Sequence, residues 1–442
     1  YQVYKKTNKI QDLRPPLGLM YIAAAAESVG WEASIIDAQA EDINCLKIIN
    51  LIENIKPDFV GITATTPEYF LACYLSEKIK RQNSNIKIVI GGAHVSATSS
   101  DCLSNANFDY IVVGEGENAI RKILIDNPTE RIINSLEMEN LNSNILPARH
   151  LVDYSRYNYP VPDAGMIRMD AIESSRGCPF CCSFCFNSSK HRRPRDVGSV
   201  VSEIENSYKN YDTKFFMFFD DTFTVDPEFV YDFCDMIIKK NLNHLTFYVN
   251  ARANTIKDKK IFKVMKDAGI TEISMGVESG SEEILKKCKR GVTKDQYRRV
   301  YDWMFSAGLQ TRGSFIIGHP YETEETVWET INFAKELPLV RASCNIMTPY
   351  PGTLVYEQAK KGKGIHLIEE DWNQFKRWGQ SVIETDSLTK KDLEGLQKTF
   401  LIEFFSQRKI ISYHVKQFLK GNRSYYYYRP ILYAIKNRLK NI

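Results

Sequence analysis

The chain has 442 residues, with 58 Lys and Arg against 54 Asp and Glu for a net charge of +4; 43% of residues are hydrophobic and 25% charged. That length exceeds one ordinary core and implies two or three domains, and the composition excludes a disordered or fibrous chain. No run approaches the roughly 18 apolar residues of a membrane span. Ten cysteines are too sparse for a disulfide scaffold, so a reducing cytoplasm is the expected setting.

The charge is uneven. Residues Arg408–Ile442 hold nine Lys or Arg and no acidic residue, which exceeds the net charge of the whole chain and leaves the remainder mildly acidic. This argues against a nucleic-acid enzyme, whose binding face is broadly positive.

Residues 1–130 read as an α/β domain. Leu17–Val29 is Ala-rich and predicts a helix ended by Gly30; strands are expected at Ala33–Ile36, Phe59–Thr63, Ile86–Ile90 and Tyr110–Val113, with a helix near Leu71–Arg81. Nearly continuous apolar strands alternating with helices predict a parallel sheet covered on both faces. In such a sheet ligands bind beyond the carboxyl ends of the strands. The loops there carry Thr63, Thr65 and Thr66, then Gly91, Gly92 and His94, then Gly114, Glu115 and Gly116. Such glycines permit close backbone approach and the threonines add hydroxyl donors.

This domain reads as short of one strand. Tyr1 opens a stretch, YQVYKKTNKIQD, too polar for a buried central strand, and four strands stand where five are expected. A vacant central slot would leave backbone groups unpaired at roughly 1–3 kcal/mol for each buried one. The expectation is about ten further residues upstream, supplying an apolar strand.

Residues 131–165, punctuated by Leu146-Pro-Ala-Arg149 and Tyr159-Pro160, read as a linker. Strand–helix alternation then resumes over residues 166–365. Strands are expected near Met169–Ser174, Phe215–Phe219, Leu245–Val249, Glu272–Gly276, Gly313–Ile317 and Ala342–Met347, with helices such as Pro227–Lys239 and Thr293–Ser306 between them. Six strands of this kind predict a six-stranded partial (β/α) barrel, with chemistry at the carboxyl ends of its strands. Asp226, ahead of Pro227, is the expected helix N-cap.

The first barrel strand runs into Ser174–Asn187, SSRGCPFCCSFCFN, where Cys178, Cys182 and Cys185 are spaced C-x3-C-x2-C. Three thiolates on one tight loop leave a four-iron cluster one protein ligand short, and an open iron site is where such a cluster does chemistry. A zinc knuckle, which needs a fourth ligand, or a disulfide pair is the plainer alternative. Cys181 reads as a bystander. The loop, with Arg176 and Gly177 ahead of it and Pro179 and Phe180 within it, resembles the signature of the radical S-adenosylmethionine (SAM) enzymes. Together with Arg14-Pro-Pro-Leu-Gly-Leu19, Asp37-Ala38 and the strand-end loops, the chain from about residue 14 to 365 resembles the subfamily that carries a cobalamin-binding domain.

The resemblance implies a [4Fe-4S] cluster on Cys178, Cys182 and Cys185 whose unique iron chelates SAM. It implies SAM contacts at successive strand ends: Asp220 or Asp221 for the amino group or ribose, Arg252 for the carboxylate, and Glu278 and Ser279 for ribose or methionyl groups. Ile317 and Gly318 follow for adenine, with Tyr350 in the rigid turn Thr348–Thr353. Cobalamin is implied at the nine strand-end residues of the first domain, held without a protein base, since no D-x-H-x-x-G motif is present. His94 reads as a loop hydrogen-bonder rather than a cobalt ligand.

The implied activity is generation of a 5′-deoxyadenosyl radical, fed by a flavodoxin- or ferredoxin-type donor, and methylation of an unactivated carbon of a small-molecule or lipid substrate. Cobalamin-independent cyclisation, oxidation or carbon–carbon coupling on a lipid or tetrapyrrole is the second reading. A non-catalytic iron–sulfur or zinc-binding module is the third. The tRNA methylthiotransferases share a similar barrel, but the scattered Cys45, Cys73 and Cys102 do not suit their second cluster. His319 is a candidate proton shuttle or an ordinary loop residue. Cys344 is a candidate substrate-facing residue or a packing one.

Residues 366–442 read as a helical basic region, with a helix from Thr389 to about Lys420 and a tyrosine-rich end, Tyr425–Tyr428. Two readings stand for this tail: a terminal helix packed on the barrel with its lysines solvated, or peripheral contact with a lipid surface.

Overall fold

A computed structural model of the chain describes residues 13–135, 137–142, 146–161, 164–186, 189–376, 379–420 and 425–440. The expectation attached to residues 1–12 and the strand upstream of them lies outside the described residues.

In the first domain, strands Phe59–Thr63, Lys87–Gly91, Tyr110–Val113 and Ile132–Asn134 form a parallel sheet in that order. Alternation along the strands divides the side chains between two layers. Ile88, Ile90 and Ile111 pack with Ile52, Ala72 and Ile79 from helices Cys45–Ile55 and Tyr69–Gln82. Val89, Tyr110 and Val112 pack with Ala25, Ile120 and Ile123 from helices Leu17–Glu27 and Gly116–Asp126. The sheet is therefore covered on both faces, as its apolar runs required.

Two details differ from the sequence reading. Ala33–Ile36 is not a strand: among the described residues no neighbour offers it a ladder, and Ile35 instead packs between Leu17, Met20 and Ala171. The fourth strand, Ile132–Asn134, comes from the stretch read as linker; three residues are too few for periodicity to register.

The second sheet has seven strands in a curled half-barrel. Six of them, Gly165–Ile172, Phe215–Phe218, Thr246–Ala251, Ile270–Glu278, Gln310–Ile317 and Arg341–Ile346, run parallel in chain order. They correspond to the six expected strands. The seventh, Asn158–Val161, pairs antiparallel with the first as a hairpin, and Pro160 within it hid the strand from a sequence reading. Helix Pro227–Lys239 starts where expected, with the Asp226 carboxylate accepting from the amides of Glu228 and Phe229.

The C-terminal region forms helices Lys390–Phe405, Arg408–Leu419 and Tyr425–Lys440. Phe400, Phe404, Ile410, Ile431 and Ala434 are buried in the barrel's outer core, so the tail helices pack on the barrel. No described helix is long and apolar enough to cross a membrane.

The segment between the domains is tied down by a buried ionic knot. The Arg149 guanidinium donates to Asp170 Oδ2 and Glu203 Oε1, both at 2.6 Å, and to the Ala171 carbonyl at 3.2 Å. Tyr154 and Ser207 hydroxyls also donate to Asp170, at 2.8 and 2.6 Å, and Arg195 meets the other oxygen of Glu203. Removing one partner of such a set leaves uncompensated buried charge, at a cost of about 3–5 kcal/mol. Arg149→Ala is therefore expected to lower the urea midpoint sharply, with Arg149→Lys intermediate because it keeps the charge and loses the fork; circular dichroism across a urea titration measures both.

Candidate active site

The cluster loop is held from below by one carboxylate. Asp220, at the end of the second barrel strand, accepts from the Ser174 amide at 2.9 Å and from the Ser174 and Ser175 hydroxyls at 2.6 Å each. Asp220 is buried and its oxygens are engaged in fixing the start of the loop, a different task from the SAM contact expected of it. Asp221 beside it is exposed at the barrel mouth. Gly177 follows at φ +86°, where a Cβ would lie 2.2 Å from the His191 carbonyl oxygen; only glycine fits that approach. Further along, the Ser183 amide donates to the Cys288 carbonyl at 3.0 Å and the Val355 amide to the Ser183 carbonyl at 3.1 Å. The loop is thus pinned to the fourth and sixth strand-end segments of the barrel.

Cations gather around the thiols. Arg252 is buried, lies 4.1 Å from the Phe180 ring centroid and donates to Cys182 Sγ at 3.3 Å and to the Arg290 carbonyl at 2.7 Å. Lys289, unmarked by any motif, is buried beside it and pairs with Glu278 Oε1 at 3.0 Å. The hydrogen bond from Cys185 and the nearby Lys289 and Arg252 charges hold the Cys182 thiol well below its ordinary range, at about 6. Cys181 is exposed, with Lys190 Nζ 3.3 Å from its sulfur.

The remaining candidates are scattered by strand alternation. Phe315 pairs in register with Cys344, and Ile317 with Ile346; Phe315 packs on Phe400 of the outer helix layer at 5.1 Å. Cys344 and Ile317 therefore point outward into the core, away from substrate and adenine, and Ile316 takes the inner face. Ser279 is buried, in contact with the Thr330 hydroxyl at 3.2 Å and accepting from the Ser281 amide at 3.1 Å. Gly318 stands at φ +85° with its amide on Glu322, as does the amide of His319. Burial pushes the Glu322 carboxyl up to about 8 and lowers His319 to about 3, so His319 is a neutral imidazole, set edge-on to Phe184 of the cluster loop at 6.2 Å. Tyr350 donates to the Phe375 carbonyl at 3.1 Å.

The carboxyl edge of the first sheet faces the same mouth. Thr63, Thr65 and Gly114 are exposed there and Gly91 half-buried. Gly92, at φ +105° and ψ −178°, packs so closely that a Cβ would stand 2.8 Å from the Ala64 carbonyl oxygen and Thr63 Oγ1. His94 is buried: its Nδ1 meets Thr66 Oγ1 at 3.2 Å, and its ring lies on Tyr69 at 4.3 Å and against Trp372 at 5.6 Å. Thr65 is a helix-capping partner of Glu68, and Gly116 packs its helix on Ile22.

Ion pairs fasten this edge to the cluster loop. Arg176 reaches Glu117 at 2.7 Å and Glu173 at 2.6 Å, and Arg193 reaches Glu115 at 2.6 Å. Glu115 thus bridges the domains. Sequence reasoning missed Glu117, Arg193, Lys289 and Trp372, because partners so distant along the chain leave no spacing to read.

Residues 172–334 match the radical SAM superfamily and residues 7–124 the B12 binding domain. An uncharacterized methyltransferase of Pyrococcus horikoshii is 31% identical over 440 residues, spanning 93% of this chain and 94% of its own. An anaerobic magnesium-protoporphyrin IX monomethyl ester cyclase of Rubrivivax gelatinosus is 27% identical over 427 residues, spanning 90% of this chain and 75% of its own. The fold is that of TsrM, a radical SAM methyltransferase of Kitasatospora setae solved with cobalamin and a [4Fe-4S] cluster bound: TM-score 0.65 at 18% identity, over 81% of this chain and 77% of that one. A half-barrel whose first strand runs into a three-cysteine loop, joined to a corrinoid-type α/β domain, defines a radical SAM enzyme with a B12-binding domain. The chain belongs to that family, and its cofactors are a [4Fe-4S] cluster, SAM and cobalamin.

The residues present fit these groups. None of the ten cysteines is in a disulfide, and the Arg252 and Lys289 cations favour the thiolate of Cys182. Thr63 and Gly114 are exposed along the edge of the first sheet, where glycine and threonine would let a bound group approach the backbone closely, and His94 is buried there with its Nδ1 on Thr66.

Cys182→Ala is expected to remove the iron and abolish 5′-deoxyadenosine formation, while Cys181→Ala leaves both nearly intact; iron analysis and product chromatography decide. Placing a side chain at Gly92 forces a backbone region that costs about 1–3 kcal/mol. Gly92→Val is therefore expected to weaken hydroxocobalamin retention through gel filtration by roughly tenfold or more.

Proposed function

We propose that the enzyme methylates an unactivated carbon of a small-molecule substrate. The observation that carries this reading is the clamping of the cluster loop and the open edge of the corrinoid domain to one mouth, through Arg176–Glu117 and Arg193–Glu115. When bound, the cluster would supply the electron that cleaves SAM reductively to methionine and a 5′-deoxyadenosyl radical, and the cobalamin would supply the methyl-transfer chemistry.

The chain's own residues set the stage for that chemistry. Arg252 and Glu278 stand beside the cluster thiols and are assigned to the carboxylate and ribose or methionyl groups of SAM. The backbone at Gly318, braced by Glu322, is assigned to adenine. Thr63, Gly91, Gly92 and Gly114 are assigned to cobalamin, with Trp372 behind His94 closing that side against water. A cavity of about 200 Å³ at the barrel mouth is lined by Arg14, Met217, Phe219, Tyr248 and Asn250, with Phe218 behind them. A guanidinium beside aromatic walls suits a substrate with an anionic group on an apolar body. The electron donor is taken to be a flavodoxin- or ferredoxin-type protein.

A second reading, radical cyclisation or oxidation without methyl transfer, is supported by the cyclase relative, which aligns with nine-tenths of the chain. Anaerobic protein loaded with cobalamin and given SAM bearing a deuterated methyl group separates the two. Deuterium in a substrate-derived product supports methylation. 5′-Deoxyadenosine together with an unlabelled, altered product supports the second reading and overturns the first.

A further inference from the structure

The last two helices each carry two apolar stripes. In Arg408–Leu419, Ile410 and His414 face the core, while Val415, Phe418 and Leu419 stand on the other side, Leu419 at 78% exposure. In Tyr425–Lys440, Ile431 and Ala434 are buried, while Leu432 and Ile435 are exposed. The rings of Phe418 and Tyr428 meet at 5.6 Å, joining the two outer stripes into one surface. One buried stripe is all that packing on the barrel requires of a helix, and the outer one is exposed among the described residues. Exposed cations border it: Lys416, Lys420, Arg429 and Lys436. From residue 408 to the end of the chain there is no acidic side chain.

We propose that this helix pair docks the enzyme on an anionic lipid surface, with the outer apolar stripe in the headgroup layer and the bordering cations on lipid phosphates. An apolar stripe flanked by Lys and Arg is the pattern of helices that lie in the plane of a membrane interface. The charge complements an anionic leaflet, which attracts each nearby cation. Nucleic acid would use the cations but gives exposed Val, Leu and Ile nothing to bury against. A second copy of the chain would bring the same positive charge to face its own.

The test is flotation of the full chain with vesicles of mixed phosphatidylglycerol and phosphatidylcholine, and with phosphatidylcholine alone, at low and high salt. Binding to the anionic vesicles at low salt is expected, falling steeply as salt rises. The double variant Lys416→Glu and Lys420→Glu should weaken it by at least the roughly fivefold per cation that leaflet attraction is worth. Leu419→Ser should weaken it by about tenfold through lost apolar burial. Both variants alter exposed residues remote from the cluster, so 5′-deoxyadenosine formation should be unchanged and certifies the fold. The proposal is overturned by no association at low salt, or by equal, salt-insensitive binding to neutral vesicles. It is equally overturned if the protein retains single-stranded RNA and no vesicles, or if it sediments as a dimer that Leu419→Ser dissociates while vesicles are ignored.

Discussion

Three thiolates must be presented from one short loop toward an open space, and the loop has no hydrophobic core of its own to hold it. The Asp220 carboxylate answers that constraint by accepting from the amide and hydroxyl of Ser174 and the hydroxyl of Ser175. A buried carboxylate is tolerated only when its lone pairs are satisfied, and these donors satisfy it. The same bonds set where the chain leaves the first barrel strand. Everything downstream depends on that exit: the tight turn at Gly177, the seat of Ser183 between the Cys288 carbonyl and the Val355 amide, and the approach of Arg252 to Cys182.

The second constraint is alignment of two domains that could in principle fold apart. The joint adds buried or half-buried ion pairs to the apolar contact of Leu17 and Met20 with Ala171. Arg176, immediately ahead of the cysteines, spans Glu173 of its own strand end and Glu117 of the other domain. Arg193, on the far side of the loop, takes Glu115. Paired charges in a joint of this kind add little net stability, but mispairing them is costly, so they favour a single relative orientation. An enzyme passing a group between two bound cofactors needs that orientation more than it needs a strong interface.

The electrostatics around the sulfurs follow the same logic. Arg252 and Lys289, both buried, offset the negative charge that three thiolates and a carboxylate would otherwise accumulate side by side. Lys289 remains charged although burial favours the neutral amine, because the Tyr297 and Glu278 oxygens beside it favour the cation. Away from the cations, burial shifts groups toward neutrality: the Glu322 carboxyl upward and the His319 imidazole downward.

The sequence by itself determined the fold class, the six parallel strands of the barrel and the three-cysteine loop at the end of the first of them, because each rests on local signals: apolar runs alternating with helices, an N-cap at Asp226, and cysteines seven residues apart at most. It also placed the strand-end loops, since in a parallel sheet the carboxyl ends are where function gathers. Only the tertiary structure decided which of the loop residues are available. Asp220, Ser279 and Glu115 look like ligand contacts in one dimension, and each is occupied by a partner brought from elsewhere in the fold. Cys344 and Ile317 lie on the outer face because strand register, which no local pattern encodes, sets them beside Phe315 and Ile346. Lys289, Arg193 and Trp372 had no local signal at all, and the three-residue strand Ile132–Asn134 exists only because Tyr110–Val113 is there to pair with it. Long-range pairing assigns these roles, and a chain read one residue at a time carries no distance between its distant parts.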